Sequence, residues 1–361
     1  MSKVPASRLK RVRETWLGKM KSAPFVSRNF LERVTEPGSP FHLDYLAYRR
    51  GEIGRAELIA RLPHVAMLGD SVCMGIYISS AWNTLWRARR SGGKNWFLHI
   101  DDAPNICSIS KSLETITPFV AIECAGVGAL VDEEHRHQNL FRRILGTRNF
   151  SAQVGELVEA RRFPDLILIS IGHNSVDWAW RCPPHELEEP EERLKRLSNE
   201  FRQNYVRELR RLLEVARIQQ HHVAIVVYGL INFESYFKGR EAAEHLRKSD
   251  RTLYPHLETT YRYFISFRPA YRRNLIRLAA MLNEELRSMV EDLNREFVQR
   301  DEHIQLRYSD ALATADLSRA ELLHPTDGWH ASVEGHNILA KAAFNDLRAT
   351  LDFLEIRAPI G

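Results

Sequence analysis

Short apolar runs alternate along this chain with longer stretches of helical period. Five runs are nearly continuous in β-branched and aliphatic residues: His64–Leu68, Phe119–Cys124, Asp165–Ile171, His222–Tyr228 and His303–Tyr308. Continuous apolarity, rather than strict alternation, suits strands covered on both faces, as in a parallel sheet. Between the runs lie amphipathic stripes. Leu194, Leu197, Phe201, Tyr205, Leu209, Leu212 and Ala216 form one, in a helix opened by Pro190 with Glu191 and Glu192 in its first turn. Proline has no N–H to leave unsatisfied there, and acids complement the helix dipole. Leu275, Leu278, Leu282, Leu286, Met289, Leu293 and Phe297 form a second stripe; Leu339, Ala343, Phe344, Leu347 and Leu351 form a third. Strands alternating with helices predict an α/β fold, a doubly wound sandwich around a parallel five-stranded sheet.

Two segments fall outside that alternation. Residues 1–62 read as a helical N-terminal extension to a main domain at 63–361. Within the extension, Leu9, Val12, Trp16, Leu17 and Met20 recur at helical spacing with Arg and Lys between them. A basic amphipathic helix of this kind either lies on an anionic membrane surface or packs on its own domain with a solvated basic face. The second segment is 230–273, after the fourth run. A connection there usually takes ~2–6 residues, yet this one holds nine aromatics, Phe233, Tyr236 and Phe237 among them, interleaved with Lys238, Arg240 and Glu241. That interleaving predicts a helical insertion with short amphipathic elements.

Composition narrows the class. At 361 residues, 44% apolar and 27% charged, with 18 Gly and 15 Pro, the chain is neither disordered nor collagen-like and can bury a sizeable core. No run approaches the length of a membrane-spanning helix. Residues 1–33 carry nine Lys/Arg against two Glu, a local net of +7; the whole chain is +5, so the remainder carries −2. The folded body is therefore close to neutral, which argues against a nucleic-acid partner. Cys73, Cys107, Cys124 and Cys182 show no disulfide framework, and no secretory apolar region precedes them. A reduced, cytoplasmic protein is the expectation.

In a doubly wound sheet, ligands bind outside the carboxyl ends of the strands, so the residues that follow each run are the informative ones. The first run ends in Gly69-Asp70-Ser71, then Val72-Cys73-Met74-Gly75. A serine at a strand-to-helix turn is exposed to attack a substrate; an ordinary turn uses the same residues. The second runs into Glu123-Cys124-Ala125-Gly126-Val127-Gly128-Ala129, and the third into Gly172-His173-Asn174-Ser175. Glycines let backbone N–H groups approach a ligand, and Asn offers a neutral amide donor suited to an oxyanion. Asp327-Gly328-Trp329-His330 stands near the C-terminus, followed by Glu334-Gly335-His336. An Asp and a His three apart can supply a base and the carboxylate that holds its tautomer. Each of these motifs alone is also a common structural turn.

Taken together and in this order, the segments resemble the SGNH (GDSL) hydrolase superfamily, over roughly residues 63–178 and 300–350. GDSxxxG is complete at Gly69-Asp70-Ser71 and Gly75. Ala125, Gly128 and Ala129 are similar to NxAxxGA, Gly172 and Asn174 to GxND, and the C-terminal segment to DGxHxxxxGH. Three positions depart: Glu123 stands where Asn is frequent, Ser175 replaces the Asp of GxND, and Ala331 replaces the proline after the histidine. They mark a divergent branch.

The resemblance implies a flavodoxin-like three-layer α/β/α sandwich and a serine ester hydrolase working through an acyl-enzyme. Ser71 is the implied nucleophile, His330 the base and Asp327 its orienter. The backbone N–H groups of Ser71 and Gly128 and the Asn174 amide make the implied oxyanion hole. Asp70 is read as structural, Cys73 as a buried filler, and His173 as either structural or substrate-facing. No metal or other cofactor is expected. The partner is a small-molecule carboxylic ester, of lipid, small acyl or acetylated carbohydrate type. The same triad also fits an acyltransferase, and the fold alone fits a non-catalytic binding protein. The insertion at 230–273 is read as a cap over the acyl pocket, a dimer contact or padding.

Overall fold

The computed structural model describes residues 25–26, 37–73, 106–126, 128–131, 149–176, 189–255, 257, 269–299, 301–325 and 328–356. The basic stretch at 8–21 and Asp327 lie outside them. Each predicted run is a strand: β2 (His64–Gly69), β3 (Val120–Glu123), β4 (Leu166–Ser170), β5 (Val223–Tyr228) and β6 (Ile304–Ser309). The five pair in parallel in the order β3-β2-β4-β5-β6. A two-residue strand, β1 (Phe25–Val26), adds antiparallel to the outer edge of β3. It lies in the segment read as purely helical, and two residues are too short to leave a periodic signal. Two short helices follow in that segment, α1 (His42–Arg49) and α2 (Arg55–Ala60). Leu58 and Leu62 bury their side chains with Val120 of β3.

β2, β4 and β5 are buried at every position, which is why those runs lack alternation. Around them lie α3 (Ile109–Glu114), α4 (Phe150–Val158), α5 (Pro190–Ile218), α6 (Phe233–Ser249), α7 (Pro269–Leu293), α8 (Val333–Asn345) and α9 (Arg348–Phe353). α5 buries Leu194, Phe201, Tyr205, Leu209, Leu212 and Ala216 of its predicted stripe. At ~1.5–3 kcal/mol for each fully buried large apolar side chain, that face alone anchors the helix. α7 likewise buries Leu275, Leu278, Leu282, Leu286, Met289 and Leu293. Among the described residues no helix is long and apolar enough to cross a membrane.

The strand order decides where a site can form. From β2 the sheet grows one way to β3 and the other way to β4, so the switch of direction falls between β2 and β4. A crevice opens at their carboxyl ends. Gly69-Asp70-Ser71 ends β2, and Gly172-His173-Asn174 follows β4.

Candidate active site

The turn after β2 is held from four sides. Gln153 of α4 reads both backbone groups of Gly69: the Gly69 N–H donates to its Oε1 at 2.8 Å, and its Nε2 donates to the Gly69 carbonyl at 2.8 Å. A Cβ on Gly69 would sit 2.4 Å from the Cys73 sulfur and 2.8 Å from the Ser170 carbonyl, so only glycine lets the turn lie this close to β4. Cys73 is fully buried, its thiol donates to Ser170 O at 3.0 Å, and burial drives its pKa well up. It is an inert filler.

Asp70 is the hub. Its Oδ1 accepts from Val72 N at 2.9 Å, while its Oδ2 accepts from Gly172 N at 3.3 Å, His173 N at 3.2 Å and His173 Nδ1 at 2.9 Å. Both side chains are fully buried. The Ile231 N–H donates to His173 Nε2 at 3.2 Å. Because a backbone N–H can only donate, Nε2 is the acceptor and the ring proton sits on Nδ1, aimed at Asp70. Both ring nitrogens are thus spent inside the fold. His173 is structural, and so is Asp70. Replacing Asp70 with alanine strands several buried donors at ~1–3 kcal/mol each. We expect a loss of about 3 kcal/mol or more in urea unfolding; a loss below ~0.5 kcal/mol, the range of a neutral surface change, would show that the hub carries no stability.

Ser71 itself is buried at 4% exposure, at the mouth of the β2–β4 crevice. Gly128 lies in a left-handed backbone conformation at φ +69°, with open space where a Cβ would point. Glycine is favoured there by conformation, not by crowding. Asn174 sits in the helical turn 173–176, is buried, and donates from Nδ2 to the Ala129 carbonyl at 3.2 Å. That bond orients the amide and ties the segment after β4 to the one after β3. Ser175 strengthens the tie, its Oγ accepting from Val131 N at 3.1 Å. The position that departs from GxND therefore has a structural task. Glu123, the departure in the second block, accepts from Ala125 N at 3.3 Å.

His330 comes from the segment that follows β6, the edge strand at the other end of the strand order from β3. Its loop is closed by His324 N donating to His330 O at 2.7 Å and Gly328 N donating to His324 O at 2.9 Å. Ser332 then caps α8, accepting from Gly335 N at 3.2 Å. His330 borders a largely apolar pocket with Val72, the neighbour of Ser71, and with Ile231, Tyr236, Trp329 and His336. The pocket brings His330 beside Val72, the residue that follows Ser71, and no hydrogen bond joins Ser71 to His330 among the described residues. His336 is fully buried, and burial drives its pKa down to about 3, with His330 and His324 adding in the same direction. It is a neutral imidazole at pH 7. Its place in the pocket was not legible from the motif, which marks it only as the residue after a helix-start glycine.

The order and placement of these segments match a known family. Residues 65–343 fit the GDSL-like lipase/acylhydrolase family, about three-quarters of the chain. The chain belongs to that family. No curated protein matches this GDSL-like chain. Solved structures similar to it include a salicylyl-acyltransferase from a tetracycline biosynthetic pathway, at 14% identity and a TM-score of 0.42, covering 82% of this chain and 57% of that one. A phospholipase A1 from Streptomyces albidoflavus is similar at 14% identity and a TM-score of 0.39, covering 79% of this chain and 99% of that one. The GDSL-like chain thus spans under two thirds of the length of the first of these.

Proposed function

We propose that this GDSL-like chain is a serine ester hydrolase that forms an acyl-enzyme on Ser71. One observation carries the reading. Ser71, the Gly128 turn and Asn174 follow the carboxyl ends of the neighbouring strands β2, β3 and β4, and Val72, next to Ser71, lines a pocket with His330. Ser71 Oγ attacks the ester carbonyl while His330 takes its proton. Charge gathers on the former carbonyl oxygen, where the N–H groups of Ser71 and Gly128 and the Asn174 amide receive it. The tetrahedral species collapses, the C–O bond to the alcohol breaks, and His330 returns the proton to the leaving oxygen. Water, deprotonated by His330, then attacks the acyl-enzyme and releases the acid and free Ser71. Asp327 holds the His330 tautomer throughout.

The lining beside His330 is mostly apolar, in keeping with an uncharged ester rather than a charged substrate at this end of the site. A panel of p-nitrophenyl esters from acetyl to palmitoyl, with acetylated sugars and phospholipids alongside, tests the reading. Release of free acid is expected for at least one class. Acylation of an added alcohol in place of water would make the protein an acyltransferase with the same residues. No turnover together with no labelling by a fluorophosphonate would favour a binding protein.

A further inference from the structure

Arg240 is the largest fully buried side chain in the described structure. It lies on α6, within the insertion after β5, where the interleaved charges predict short amphipathic elements. Lys238 does face solvent, but Arg240 turns inward. Taking a guanidinium out of water costs several kcal/mol, so its contacts should show what it does. Nη1 donates to the Gly328 carbonyl at 3.1 Å, and Nη2 donates to the Leu257 carbonyl at 3.1 Å. Nε lies 3.6 Å from Glu244, which also binds Arg272. Tyr236, one turn earlier on α6, donates from its hydroxyl to the same Gly328 oxygen at 3.1 Å. One carbonyl therefore receives two side-chain donors from a single helix face.

Gly328 is the residue between Asp327 and Trp329, two before His330. Its φ is +57°, and a Cβ there would lie 2.4 Å from Leu257 Cδ1. The loop is thus bent tightly against the segment whose carbonyl Arg240 also holds. The ring of Trp329 meets Tyr236 edge-on, 5.1 Å between centroids at 89°. α6 is itself fastened to the chain leading into this loop. The Leu317 N–H donates to Ser235 Oγ at 3.0 Å, and a Cβ on Gly239 would come within 2.3 Å of Leu317 O.

We propose that Arg240 and Tyr236 are positioning residues that fix the 328–329 peptide plane and so aim His330 at Ser71. This makes the insertion a buttress for the histidine loop, and it rests on the proposed role of His330 as base. Arg's rigid planar fork can hold two carbonyls at once, as a flexible lysine ammonium cannot. Tyr236 adds a second donor to the shared oxygen. Neither residue touches a reacting atom.

The test uses Tyr236→Phe, Arg240→Met, Arg240→Lys and the Tyr236→Phe/Arg240→Met pair in the full chain. Displacing a catalytic group by about 1 Å costs ~10²-fold; the expectation is a kcat loss of roughly tenfold for Tyr236→Phe and roughly 10²-fold for Arg240→Met. KM should change less than kcat, and fluorophosphonate labelling of Ser71 should slow in step. Arg240→Lys should recover part of the loss. The double variant should be little worse than Arg240→Met, because both donors act through one oxygen. Tyr236→Phe removes only a hydroxyl, so it keeps the test open if Arg240→Met fails to fold. Parental kcat and labelling rate in folded Tyr236→Phe, or a lower melting temperature without loss of kcat in either variant, would overturn the proposal. Absence of labelling in the parent protein would instead overturn the role of Ser71, and is read before any variant.

Discussion

Ser71→Ala should abolish ester turnover and fluorophosphonate labelling while leaving the fold intact. The expected loss in kcat is on the order of 10⁴–10⁶-fold, since removing a triad nucleophile leaves only binding and oxyanion stabilisation. The turn does not depend on the Ser71 hydroxyl. It is held by Asp70, by the two Gln153 bonds to Gly69 and by the close fit of Gly69 on Cys73 and Ser170. Melting temperature should therefore move by only about 2 °C. Turnover within tenfold of the parent would remove Ser71 as nucleophile and return the turn to an ordinary βα connection.

Asn174→Ala should lower kcat by ~10²–10³-fold, the usual cost of one oxyanion donor, with a much smaller change in KM. The reason for expecting the loss in kcat is the amide's fixed aim. One N–H is spent on the Ala129 carbonyl, so the geometry is set before charge develops and no reorganisation is needed during reaction. Steady-state kinetics on the best ester of the panel separates the outcomes. A rise in KM alone would make Asn174 a substrate-binding group and leave the oxyanion to Ser71 and Gly128.

The buttress reading changes how the insertion should be probed. Phe233, Tyr236 and Phe237 of α6 belong to the main apolar core, with Leu230 and Ile231 leading into them. Replacing 236–268 with a flexible loop would expose that core, so a shift in acyl-chain preference could not be separated from unfolding. Ile231 also borders the pocket, and a point substitution there asks the same question without opening the domain. The aromatics Tyr261, Tyr263, Phe264 and Phe267 lie outside the described residues.

What the sequence determined by itself follows from burial. Strands covered on both faces must be apolar at successive positions, so β2, β4 and β5 stand out as unbroken runs. A helix packed on one side must show a stripe, as α5 and α7 do. The motif residues were legible because sharp turns at strand ends accept few residue types: Gly69 has no room for a Cβ, and Gly128 has a positive φ. The remaining features depend on contacts between segments far apart in the chain. Strand order is set by which apolar faces meet, and it is this order that brings the β2 and β4 turns together. The Asp70–His173 pair spans 103 residues and the Gln153–Gly69 pair 84, and no local pattern encodes contacts at such separations. β1 is too short to have a period. Arg240 reads in sequence as one more charge on an amphipathic helix. It is buried because the carbonyls of Gly328 and Leu257, 88 and 17 residues away, offer it acceptors that exist only once the chain has folded.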